Sequence, residues 1–226
     1  MKISKMGRQF VLVIMIVAAL SARAWTADCD SIPTCTCNEM ELICRRTMQP
    51  LTRLPDDIPD TITKMVVSPN DLDHLVPGQL DNLTSLKILN LGYNMLTAIP
   101  GDFLAYNVLL EELYLQVNRI TFLNDSLFQN LTNLRILHVY SNPIDTIEPP
   151  LFAGLSNLKS IALDNIKAKV FDWAIFDSLT NLEQIGLRLN SFDFIPDNVT
   201  LLTVKLQKLY LPMNELSTLP PGLFDN

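Results

Sequence analysis

Few side chains of this 226-residue sequence stand where they could do covalent chemistry. It has two histidines, His74 and His138, and no nucleophile–base pair at motif spacing. It has no Gly-rich loop of the kind that cradles phosphate. Ser141 and Asp164 are the partners His138 would need, yet catalysis also requires an enclosed pocket that excludes water. The pattern is not that of an enzyme, and no cofactor is expected. Four cysteines, Cys29, Cys35, Cys37 and Cys44, fall within sixteen residues. An even, tight cluster in an exported chain predicts two disulfides, with three pairings open from spacing alone. A zinc site would want two separated ligand pairs, and the nearest histidine, His74, lies thirty residues past Cys44. No metal site is expected.

Export is read from the start of the chain. Lys2, Lys5 and Arg8 precede an apolar run from Phe10 to Leu20, followed by the small-x-small sequence Ala22-Arg23-Ala24. This is the layout of a signal peptide over residues 1–24, cut after Ala24. Eleven apolar residues make roughly 16 Å of helix, about half a bilayer core, so no membrane insertion is expected. No later stretch approaches spanning length, and the end carries no lipid-anchor tail. The expected location is secreted or at the extracellular surface. With 48% apolar and 18% charged residues the chain folds around a core. The formal charge is −7, and the leader removes four cations and no acid. An acidic mature chain excludes nucleic acid held by bulk charge.

The elements that position everything else come from a repeat. From Ile62, in steps of 24, one eleven-residue phrase recurs seven times: ITKMVVSPNDL, LKILNLGYNML, LEELYLQVNRI, LRILHVYSNPI, LKSIALDNIKA, LEQIGLRLNSF and LQKLYLPMNEL. Phrase positions 1, 4, 6 and 11 are apolar in every copy, a coincidence with a chance probability on the order of 10⁻⁹. Positions 3 to 7 alternate as a short strand does, with 4 and 6 inward and 3, 5 and 7 facing solvent. One unit cannot bury its leucines alone, so the copies stack with their strands parallel. Seven strands about 4.8 Å apart make one continuous sheet. The return half of each unit is bulkier and bends the stack, placing the sheet on the concave wall.

Two columns stabilise the stack. Position 9 is Asn70, Asn94, Asn118, Asn142, Asn190 and Asn214, amides placed to bond the backbone of adjoining turns. Position 19 is Leu80, Leu104, Phe128, Phe152, Phe176 and Phe224, an apolar spine whose rings are suited to edge-to-face contact. The pattern lapses at Ile166, in the Asn column beside Asn165, and at Thr200, in the spine. A looser turn is expected over 164–170. Residues 25–61 form a disulfide-stapled cap over the first repeat, and 62–226 the repeats. The run stops at Asn226 without a cysteine-rich C-terminal cap, which reads as a fragment.

The wall offers Asn90, Tyr114, His138 and Tyr210 at position 5, Gln116, Tyr140, Asp164 and Arg188 at position 7, and Tyr93 at position 8. Four of the five tyrosines lie on these outward positions. Tyrosine brings a large rigid contact area at small entropic cost. With Lys64, Glu112 and Lys208 the charges are mixed, suiting a specific protein or glycan better than a uniform polyanion. The central cluster is Tyr114, Gln116, His138, Tyr140, Asp164 and Arg188. Four N-x-S/T sequons, at Asn82, Asn124, Asn130 and Asn198, fall on the return side and leave the wall bare.

The cysteine cap CDSIPTCTCNEMELIC, the lead-in LTRLPDDIPDTITK, the 24-residue units and the tail LSTLPPGLFDN resemble extracellular leucine-rich-repeat proteins. They are most similar to the variable lymphocyte receptors of jawless vertebrates and their lancelet relatives. Toll-like receptor ectodomains and Slit-type or small proteoglycan modules come next. The resemblance implies an α/β leucine-rich-repeat solenoid, with a curved parallel β-sheet on the concave face and an irregular or 3₁₀ convex side. It also implies disulfides Cys29–Cys37 and Cys35–Cys44, antigen binding on the concave wall, and in many members a C-terminal cap with a lipid or membrane anchor. The expected function is a secreted or surface recognition protein, immune receptor-like, that binds a protein or glycan. The alternative is an adhesion protein of matrix or neural tissue.

Overall fold

The computed structural model describes residues 34–197, 205–221 and 223. The expected leader, Cys29, Asn198, Thr200 and Phe224 lie outside them. The repeat phrase becomes strand at every copy: β3 (Lys64–Val67), β4 (Ile88–Asn90), β5 (Glu112–Tyr114), β6 (Ile136–His138), β8 (Ser160–Ala162), β10 (Gln184–Gly186) and β11 (Lys208–Tyr210). All pair in parallel, and Met65, Leu89, Leu113, Leu137, Ile161, Ile185 and Leu209 stand opposite one another along the sheet. The first six of these are fully buried. Stacking one leucine column on the next is what a period of 24 makes possible.

The sheet is longer than the seven strands expected, because the cap joins it. β2 (Glu41–Cys44) pairs in parallel with β3, placing Leu42 opposite Met65, and β1 (Cys35–Cys37) adds an antiparallel edge. Leu42 and Cys44 are buried as inward strand residues are. This strand was hidden because a cysteine stands where the other copies carry Leu or Val. Cys35 and Cys44, directly opposite across β1 and β2, form a disulfide. Cys37 is also disulfide-bonded; its expected partner, Cys29, is outside the described residues.

The return side is irregular, with 3₁₀ turns at Asp125–Phe128 and Trp173–Phe176, each capped by the side chain of the preceding residue, Asn124 or Asp172. A small parallel ladder forms there between β7 (Thr146–Ile147) and β9 (Val170–Phe171). Leu80, Leu104, Phe128, Phe152 and Phe176 are buried as the spine. The Phe128 and Phe152 rings lie 5.7 Å apart at 44°, tilted rather than edge-to-face. Both are enclosed on all sides, so packing sets their orientation.

The asparagine column is the principal polar scaffold. Asn118 is typical: its Oδ1 accepts from Leu96 N (3.0 Å), and its Nδ2 donates to Leu91 O and Leu115 O (3.0 Å each). Each bond to residue 91 or 96 crosses to the preceding coil. Asn94, Asn142, Asn190 and Asn214 repeat the pattern, so that Leu91, Leu115 and Leu187 carbonyls each accept two amide donors. Ile166 removes one rung. Ile144 N has no amide to meet and bonds back to Asn142 O at 2.9 Å, while the Val139 and Leu163 carbonyls keep one such donor each. The turn is not loose in packing, since Ile166 is fully buried. It is altered in path: both Asn165 (φ 52°) and Lys167 (φ 56°) adopt the left-handed conformation.

Asn118→Ala leaves a buried N–H without a partner and should cost about 3 kcal/mol in urea unfolding. Asn214→Ala, at a half-buried rung, should cost clearly less. Ile166→Asn should hold or raise the unfolding midpoint by restoring the rung. The same change at Ile185, where no rung waits, should lower the unfolding free energy by more than about 3 kcal/mol.

Candidate recognition surface

The register places the wall residues without further help from the sequence. Tyr114 on β5 stands opposite His138 on β6, and their rings meet edge-to-face at 5.1 Å and 82°. The Tyr140 ring is 6.0 Å from His138, and its side chain hydrogen-bonds that of Tyr93. The Tyr114 hydroxyl donates to Glu112 Oε2 at 2.7 Å. Aromatic pairs at such distances contribute about 1 kcal/mol each beyond their burial. Three strands are thereby tied across their outer face.

Electrostatics follow from this crowding. Burial, then the hydrogen bond to Glu112, push the Tyr114 hydroxyl well above its ordinary value. Tyr140 is pushed up to about 12 by burial, the Tyr93 bond and the nearby Asp164 charge. Burial lowers His138 from the usual imidazole value, against the opposing pull of Asp164 and Glu112. The imidazole is therefore neutral at physiological pH.

Asp164 accepts the Arg188 backbone N–H through Oδ1 at 2.8 Å. The Arg188 guanidinium lies 4.1 Å over the Tyr210 ring. Asn90 folds onto its own turn, accepting from Gly92 N at 2.9 Å. The structure thus brings Tyr93, Glu112, Tyr114, Gln116, His138, Tyr140 and Asp164 together, with Arg188 and Tyr210 as a separate pair.

One expected wall residue is misplaced by the sequence reading. Gln116 is only 6% exposed and does not face solvent. Its amide lies on the bare backbone of Gly92, where a Cβ would sit 2.7 Å from Nε2. The sheet order puts it between Tyr93 and Tyr140, which bond to each other from the coils on either side. Its Oε1 is buried without a hydrogen-bond partner. Gly186, at an outward position, is likewise buried, because the Asp164 carboxylate packs where its side chain would be.

Sequence reasoning also missed the backbone of position 8. Tyr93, Val117, Ser141, Asn165, Leu189 and Met213 all have φ between 52° and 63°. From the second copy onward a left-handed residue after the strand lets the next residue, the column asparagine or Ile166, turn inward; the first copy carries Pro69 there. The conformation is costly for L-residues, most of all for β-branched Val117. No glycine marks the row, so nothing in the sequence announces it. It sets Tyr93, Leu189 and Met213 on the rim, 48, 49 and 74% exposed.

The return side carries the sequons. Asn82, Asn124 and Asn130 are all exposed there; Asn198 lies outside the described residues. The fifth tyrosine, Tyr106, is exposed on the same side. An aromatic cluster of Phe171, Trp173, Phe176 and Phe192 also packs there, with centroids 4.7–6.4 Å apart. It backs a cleft of about 320 Å³ edged by Val170 and Phe194. Phe171, Trp173 and Phe176 are close in sequence, and Phe192 joins them from the next coil, a contact no sequence signal announced. Among the described residues no helix is long and apolar enough to cross a membrane.

The leucine-rich-repeat family model matches residues 60–116 and 108–167. Podocan-like protein 1 of mouse is 34% identical over 108 residues, covering 38% of this chain and 19% of that relative. Among solved structures, the glycosylated Toll–Spatzle complex of Drosophila superposes with a TM-score of 0.70. There the identity is 27%, over 78% of this chain and 25% of that one. A leucine-rich-repeat protein of Leptospira interrogans superposes with a TM-score of 0.63 and 30% identity, over 72% of this chain and 42% of that one. The chain spans less than half the length of each of these relatives. The described chain is a leucine-rich-repeat solenoid, a parallel sheet of stacked coils with a disulfide near its N-terminal end.

Proposed function

We propose that this protein is a secreted or cell-surface recognition protein, immune receptor-like, that binds a protein or glycan across its concave wall. The observation that carries the reading is the pre-assembled aromatic row Tyr93, Tyr114, His138 and Tyr140, half-exposed in mid-sheet. Rigid aromatic side chains at the centre of a surface are where binding energy concentrates. Ring–ring and hydroxyl contacts hold them before any partner arrives, which lowers the ordering cost of association. The cap disulfide suits an oxidising compartment, and glycans on Asn82, Asn124 and Asn130 would leave this wall free. The Toll relative, solved in complex with Spatzle, adds support by similarity.

A second reading, a matrix or adhesion protein, draws on the similarity to Podocan-like protein 1. That reading places contacts on the return side or between copies. The two are separated by presenting the purified chain to arrays of extracellular ectodomains and glycans, then testing variants against each captured partner. Tyr114→Ala and Tyr140→Ala should each weaken capture at least tenfold while the circular-dichroism melt stays close to wild type. Asn82→Gln and Tyr106→Ala, on the return side, should leave it unchanged. Unaltered affinity in both wall variants rules the concave reading out.

A further inference from the structure

We propose that the middle of the wall receives a basic segment of a protein partner, with arginine or lysine side chains on Glu112 and Asp164. This rests on the concave wall being the binding surface. Several acidic side chains elsewhere hold cations: Glu41 with Lys64, Asp71 with Arg46, Glu111 with Lys87 and Arg135, Asp145 with Lys169, Glu183 with Lys159. Among the described residues no cation pairs with Glu112 or Asp164. Arg188, whose backbone touches Asp164, sends its guanidinium to Tyr210 instead.

The hydrogen-bonding inventory points the same way. The Tyr114 donor is spent on Glu112 Oε2, and of the Tyr93 and Tyr140 hydroxyls one donates to the other, which leaves one tyrosine O–H free. What is left open is mainly acceptor capacity, the remaining oxygens of Glu112 and Asp164. Guanidinium and ammonium groups are donor-only. A carboxylate, sulfate or phosphate ligand would meet two carboxylates and few free donors. The tyrosine faces add attraction for a cation, about 1 kcal/mol where partly desolvated. Glu112 and Asp164 sit two strands apart with His138 between, so they suit two cations spaced along an extended segment rather than one. The neutral imidazole adds no opposing charge.

The test uses the full chain and three synthetic peptides: acetyl-Arg-Gly-Gly-Gly-Arg-amide and its lysine and glutamate counterparts. Each is titrated while the two histidine ring signals are followed by NMR, with His74, beside Asp73 on the return side, as internal control. The arginine and lysine peptides should shift His138 saturably, leave His74 unmoved and lower the His138 pKa further. The glutamate peptide should bind at least tenfold more weakly. Glu112→Gln with Asp164→Asn keeps both acceptor bonds but removes the charges, and should weaken the arginine peptide at least fivefold with an unchanged melt. Equal shifts by the glutamate peptide, equal shifts at His74, or wild-type binding by the double variant would overturn the proposal. If that happens while Tyr114→Ala still abolishes capture of an array partner, the charge assignment alone is wrong. If Tyr114→Ala and Tyr140→Ala both capture normally, the wall reading itself has failed.

Discussion

All but one of the repeated coils close over a side-chain amide, the exception being the coil that carries Ile166. A strand that turns sharply leaves backbone N–H and carbonyl groups facing the interior, where water cannot reach them. Asparagine at position 9 supplies one acceptor and two donors on a short stem, and spends them on its own coil and the one before. Because those bonds cross between coils, they fix the step of the stack as well as the shape of each turn. The leucine columns supply most of the apolar burial, but they would tolerate sliding. The amides do not.

The wall is a consequence of that closure. From Asn94 onward, aiming the asparagine inward puts the residue before it in a left-handed conformation and throws that side chain outward to the rim. The strand residues just before it are held in strict register by the same bonds. A tyrosine placed there needs little further ordering, and neighbouring rings lock across strands. Small residues then decide depth. Gly92 lets Gln116 sink beneath the surface, and Gly186 makes room for Asp164, so the face is sculpted by where side chains are missing as much as by where they are present.

Repetition also makes departures readable as physics. Replacing an amide with Ile166 leaves its slot filled but its bonds unmade, and the backbone compensates locally with a second left-handed residue at Lys167. The solenoid continues through the fault because each coil contacts mainly its neighbours. At the cap, a strand with a cysteine in an inward position extends the sheet and seals the first leucine column, which is how a small segment with little core of its own stays folded.

The sequence by itself determined the period, the strands, their parallel stacking, the inward columns and the side of the chain on which the tyrosines fall. All of these depend on spacing along the chain, which a repeat states many times over. Only the tertiary structure decided that the cap adds two strands, that Gln116 is covered and that Arg188 turns to Tyr210 rather than to a carboxylate. It also brought Phe171, Trp173 and Phe192 into one cluster behind a cleft. Those outcomes depend on side chains from adjacent coils competing for the same space, and residues some two dozen positions apart carry no local signal of which one yields.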